Sequence, residues 1–151
     1  MKLIFERWNQ YLLLENVAYS GVVLDDESRQ KLLDKLDIPE GWEEIAHHMT
    51  ITLGPLVHPK GKHDFSKNYA IGDEVELKVT DVGLDDRAMA VKVEAPHEIN
   101  KKISFPHVTI AVNRKEGGKP FHSNKIPEDN FEPIDLEDEL TITGTVTEVP
   151  S

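Results

Sequence analysis

His48-Met49-Thr50-Ile51 recurs in the second half of the chain as His107-Val108-Thr109-Ile110. The copies sit in short β-branched runs, 45–53 and 108–112, whose period-2 alternation of Ile, Val and Thr reads as β-strand. Residues i and i+2 of a strand share a face, so His48 with Thr50 and His107 with Thr109 each present an imidazole and a hydroxyl together. The expectation is that these couples face each other across one cleft and grip a phosphate. With seven His and eight Thr, chance supplies roughly 0.4 His-x-Thr tripeptides. Two copies, both followed by Ile and both in strand-like runs, exceed that. The plainer reading stays open: a strand-borne His is often a satisfied structural residue, and Thr is an ordinary strand former.

The chain of 151 residues fits one domain large enough to bury a sizeable core. Its hydrophobic fraction of 38% and charged fraction of 30% are those of a soluble globular protein. The absence of cysteine excludes disulfides, thiolate metal sites and a cysteine nucleophile, and it fits a cytoplasmic protein. No apolar run reaches membrane-spanning length, and the start of the chain has no signal-peptide pattern. A net charge of −11 argues against extended duplex nucleic acid as a partner, because such binding rests on many Lys and Arg contacts. Yet each motif strand runs into a basic segment: His58, Lys60, Lys62, His63 and Lys67 after the first, and Arg114, Lys115, Lys119, His122 and Lys125 after the second. A positive mouth on an acidic body suits a small anion or one nucleic-acid end. Any one of these lysines taken singly is better read as part of a solvated loop.

Along the chain, Ile4, Phe5, Trp8, Tyr11 and Leu12 at helical spacing predict an N-terminal amphipathic helix over 1–16, set apart from a domain over 17–151. The run 17–24 predicts a strand containing Tyr19 and Gly21, and a glycine inside a strand marks close approach of a ligand or of another backbone. Asp25 and Asp26 can cap a helix to about Leu36, with Leu32, Leu33 and Leu36 as its apolar stripe. Trp42 and Phe105 are expected in the core. After Gly54-Pro55 the basic segment to about Ala70 has no periodicity and reads as loop or lid. Val75, Leu77 and Val79, then Met89, Val91 and Val93, predict a hairpin turning near 83–86, and 140–149 predicts an edge or final strand. These elements together predict an α+β fold with antiparallel sheet.

Taken together, these residues resemble the 2H phosphoesterase superfamily, named for two His-x-Thr-hydrophobic motifs. The likeness runs through Tyr19-Ser20-Gly21-Val22, the first motif with Gly54-Pro55, Gly72-Asp73-Glu74-Val75, Asp85-Asp86-Arg87-Ala88, the second motif with Pro106, and Lys119-Pro120-Phe121-His122-Ser123-Asn124. It is nearest to the cyclic phosphodiesterase domain of fungal and plant tRNA ligases. Phage nucleases that degrade cyclic-oligonucleotide alarm signals of the CBASS defence system belong to the same superfamily. The resemblance implies two pseudo-symmetric lobes of antiparallel sheet with flanking helices around a central cleft, and metal-independent cleavage of nucleotide phosphodiesters with no cofactor. It implies a catalytic set of His48, Thr50, His107 and Thr109. His47 departs from the pattern; only His48 has Thr at i+2, and strand alternation would turn His47 to the other side.

The chemistry asks for these residue types. In-line cleavage of a phosphodiester needs a base for the nucleophile and an acid for the leaving oxygen, and imidazole titrates where one His can be each. Threonine hydroxyls can donate to the non-bridging oxygens. Which His is the base stays open. For substrate binding, Tyr19 can stack on a base or pack in the sheet, Ser123 and Asn124 can bond a phosphate or cap a turn, and Lys60, Arg114 and Lys119 can steer the anion. No metal-ligand spacing joins the remaining histidines. The expected activity is hydrolysis of 2′,3′-cyclic phosphate RNA ends or of small cyclic nucleotides. The alternatives are degradation of cyclic-oligonucleotide defence signals, a non-catalytic nucleotide-binding module, and an interaction protein docking through its N-terminal helix. The sequence leaves the oligomeric state open.

Overall fold

A computed structural model describes residues 17–134 and 140–150, so the helix expected over 1–16 lies outside the described residues. In chain order the elements are β1 (Val17–Leu24), α1 (Asp26–Lys35), β2 (Glu43–Glu44), β3 (His48–Leu53), β4 (Glu74–Leu84), β5 (Ala88–Glu94), β6 (His107–Val112), β7 (Phe131–Pro133) and β8 (Leu140–Pro150). Three short 3₁₀ turns, Arg114–Glu116, Pro120–Lys125 and Glu128–Asn130, lie between β6 and β7.

Every pairing is antiparallel, and six strands follow one another as β3, β1, β8, β4, β5 and β6. β6 then pairs with β3 through Met49 and Val108, which closes the ring into a barrel. β2 extends the sheet beside β6, and β7 pairs with β4. The two pseudo-symmetric lobes implied by resemblance are not what this pairing describes. The motif strands are direct neighbours in a single closed sheet, because closure leaves no edge between the two halves. The sheet-dominated α+β content is as expected, though α1 is the one α-helix among the described residues.

The core follows from the alternation. Val22, Met49, Ile51, Leu77, Val91, Val108, Ile110, Ile142 and Val146 are all fully or almost fully buried, each on the inward position of its strand. β8 is not an edge. It lies between β1 and β4, with Leu140, Ile142, Gly144 and Val146 facing in and Thr141 and Thr145 facing out. α1 forms as its caps dictate: Asp25 accepts the Ser28 amide at 2.7 Å, Leu32 is buried, and the Ser28 hydroxyl accepts the Thr143 amide at 2.8 Å to pin the helix to β8.

A second, smaller cluster lies on the other side of β5 and β6. Ala88, Ala90 and Val112 are joined there by Ile126 and Phe131, with Ile45 and Phe105 against them. Two alanines on β5 leave room for the 3₁₀ segment 120–125 to lie against the sheet beside the second motif. No helix among the described residues is long and apolar enough to cross a membrane.

Candidate active site

Antiparallel pairing of Met49 with Val108 fixes what lies beside what. With those two pointing into the core, the flanking residues take the opposite face, and the register sets His48 across from Thr109 and Thr50 across from His107. The four side chains therefore form one patch on adjacent strands. They line a cavity of about 1090 Å³ roofed by the loops after β3, β5 and β6.

Hydrogen bonds orient each member. His48 Nε2 lies 3.0 Å from Thr50 Oγ1, and the Tyr19 ring stacks on the His48 imidazole with centroids 4.2 Å apart and planes 17° from parallel. His107 Nδ1 donates to the Phe105 carbonyl at 2.7 Å, which fixes its tautomer and leaves Nε2 for the cavity. Thr109 Oγ1 lies 3.3 Å from the Pro120 carbonyl, to which it can donate, and shares a 2.8 Å hydrogen bond with the hydroxyl of the fully buried Ser123. A phosphate oxygen in the cavity would compete with that carbonyl for the Thr109 proton.

Burial sets the ionisation of the pair. The His48 imidazole is lowered to about 4, first by desolvation and then by the neighbouring His47 and His107. His107 is lowered as well, by desolvation, against an opposing contribution from its bond to Phe105. Both rings are therefore neutral at pH 7. Each can accept a proton, and an anion bound between them favours the protonated form.

The second-tier residues divide. Tyr19 and Asn124 line the cavity, with the face of Tyr19 laid on His48. Ser123 is sealed from it and acts on Thr109 instead. Lys60, Arg114 and Lys119 are exposed and do not line it. Arg114 is ion-paired with Glu43 and donates to the Gly118 carbonyl, while the Lys119 amide donates to His122 Nδ1.

His47 is a correction. Its ring does not turn away: Nδ1 lies 3.0 Å from His48 Nδ1, and it lines the same cavity. Strand alternation fails here because β3 begins only at His48 and Ala46 takes a positive φ of 40°. The half-exposed Phe121, together with Asn100, Lys101 and Lys102, also lines the cavity, and these were not singled out from sequence. Lys101-Lys102 was the signal available. Among the described residues no group of three His, Cys, Asp or Glu side chains is placed to hold a metal ion.

A family model described as the fungal tRNA ligase phosphodiesterase domain matches residues 22–149, well over half of the chain. No curated protein matches it.

Proposed function

Because this chain belongs to the fungal tRNA ligase phosphodiesterase domain family, we propose that it hydrolyses 2′,3′-cyclic phosphate ends of RNA or small cyclic nucleotides at the His48–Thr50–His107–Thr109 patch. One observation carries the reading: the Met49–Val108 register sets both imidazole–hydroxyl couples side by side on one cavity. A satisfied structural histidine does not need a second one beside it, and two desolvated imidazoles within electrostatic reach of each other oppose each other's protonation.

The mechanism follows from the groups present. The reacting phosphate enters between His48 and His107, with Thr50 and Thr109 donating to its non-bridging oxygens. One imidazole takes a proton from the attacking water. The other, protonated, gives one to the departing ribose oxygen, so a P–O bond forms as another breaks and the ring opens to a phosphomonoester. These side chains supply both proton transfers, so the proposed chemistry is independent of metal. Tyr19 stacks on His48 and holds that ring in place, while the half-exposed Phe121 offers a face for a base.

The test is incubation in EDTA with 2′,3′-cyclic mononucleotides, cyclic-phosphate-ended RNA and cyclic di- and trinucleotides. Turnover is expected in the first two groups, and loss of at least about 10²-fold in His48→Ala and in His107→Ala, each still folded. Wild-type turnover in either variant refutes the assignment. Tight nucleotide binding with no turnover anywhere in the panel establishes the binding-module reading instead.

A further inference from the structure

The cavity is larger than one nucleotide needs. At about 1090 Å³ it passes the upper end of the roughly 300–1,000 Å³ that small-molecule pockets span. The reacting patch is only part of its lining. The remainder carries His58, Lys62 and His63 from the loop after β3, and Lys101 and Lys102 from the loop after β5.

These two loops are some forty residues apart in sequence, yet Lys62 of the first and Lys101 and Lys102 of the second line the same cavity. The His58 imidazole is held below its ordinary value first by desolvation and then by His63, Lys62, Lys60 and Lys102, so Lys102 of the second loop lies within electrostatic reach of the first. On a chain of net charge −11, this cavity is lined by three lysines beside a single carboxylate, Glu98, so its local field is positive.

Neither loop is a loose flap. The first is closed by a Val57–Asp64 bridge, by the His58 amide donating to the His63 carbonyl at 2.9 Å and by the Phe65 amide donating to Leu56 at 2.9 Å; it is anchored by buried Leu56, whose amide donates to Glu148 at 3.1 Å. The second is tied to the motif strand itself. The Asn100 amide donates to the Ile51 carbonyl at 2.8 Å, its side chain donates to Thr52 at 3.0 Å, and the buried Tyr69 hydroxyl donates to the His97 carbonyl at 2.6 Å. Asn100 thus sets Lys101 and Lys102 at a fixed offset from His48 and Thr50.

We propose that Lys62, Lys101 and Lys102, with His58 and His63, form a second anion subsite that takes an additional phosphodiester of the substrate, so that the enzyme prefers an oligonucleotide over a mononucleotide. This rests on the phosphodiesterase reading and names the substrate class for it. The subsite binds charge and performs no chemistry, and the lysine ammonium groups donate to the non-bridging oxygens of the neighbouring phosphate.

The experiment compares kcat/KM for three substrates: a 2′,3′-cyclic mononucleotide, a dinucleotide with the same cyclic end, and that dinucleotide with its internal phosphate replaced by uncharged methylphosphonate. Wild-type enzyme is expected to prefer the charged dinucleotide by at least tenfold and to lose that preference with the methylphosphonate. The K62A/K101A/K102A variant is expected to bring all three within threefold of one another, and to flatten the salt dependence seen with the charged dinucleotide. Equal wild-type rates on the charged and methylphosphonate dinucleotides overturn the proposal. So does a variant that retains the preference. In parallel, the affinity for the corresponding 3′-phosphate-ended mononucleotide and dinucleotide is measured by calorimetry. If nothing is turned over, the phosphodiesterase reading fails on its own, and the affinity ratio in wild type and variant still decides the subsite.

Discussion

Gly21 lies in β1, paired across from Thr50 of the first motif strand, and it is there because of a backbone. A Cβ built on it would stand 2.4 Å from the Met49 carbonyl oxygen and 3.3 Å from the Met49 carbonyl carbon, where ordinary contact begins at 3.4 Å. Of the two reasons for a glycine inside a strand, approach of a ligand or approach of a chain, the second applies. In Gly21→Ala either β1 and β3 part by roughly 1 Å or ladder hydrogen bonds yield, an overpacking that costs about 1–3 kcal/mol. At about 2–4 °C per kcal/mol for a domain of this size, Tm falls by roughly 2–12 °C. Met49 stands between His48 and Thr50, so a shift of β3 displaces both from His107 and Thr109. A misplacement of that size costs on the order of 10²-fold in turnover. Gly144→Ala separates this local effect from lost stability. Its Cβ would meet the Val23 carbonyl oxygen at 2.6 Å, in the seam between β8 and β1, one strand removed from β3. Melting followed by circular dichroism should show comparable losses, and kcat measured well below both transitions should fall only in Gly21→Ala. Unchanged kcat in a destabilised Gly21→Ala, or an equal loss of kcat in both, refutes the positional argument.

Three further outcomes are expected. The kcat/KM profile of the cyclic mononucleotide should be a bell with its maximum below pH 6.5: one imidazole must be neutral and the other protonated, His48 is lowered to about 4, and His107 is lowered from 6.5. Activity then falls as pH drops through about 4 and also as it rises above the His107 value; a maximum at pH 8 contradicts this. His47→Ala removes a neighbour that holds the His48 value down, so the acid limb alone should move up toward 6.5, whereas an unmoved limb shows that His47 has no hold on His48. Ser123→Ala removes the hydroxyl partner of Thr109, a bond worth about 1 kcal/mol, and should lower kcat roughly five- to tenfold with little change in KM; a rise in KM alone shows that Ser123 touches substrate.

What was legible in the sequence was whatever depends on local period. The bounds of β1, the Asp25-capped helix and the inward faces of β4 and β5 follow from residues close in the chain. What was not legible depends on partners far away. β8 alternates Thr with Ile and Val as an edge strand would, and only its pairing on both sides makes it central. Arg114 looks free as a steering cation until Glu43 is brought against it by β2 pairing with β6. Lys101 and Lys102 carry no periodic signal at all, and their place in the cavity wall is set by Asn100 bonding to a strand some fifty residues earlier.

The two copies of the motif come together because a period of two and an antiparallel register constrain each other. Met49 against Val108 is one pairing, yet it decides all four flanking positions. A slip of one residue would set His48 or Thr50 against Val108, and since paired residues share a face, one strand would have to turn its imidazole and hydroxyl into the core. Burying those groups without partners costs several kcal/mol, while the slip would expose Met49 and Ile51, both fully buried now. The hydrophobic residues between the polar ones therefore guard the face of the site: Met49, Ile51, Val108 and Ile110 do not touch the cavity, and any one-residue slip of β3 against β6 would turn one pair of them out of the core.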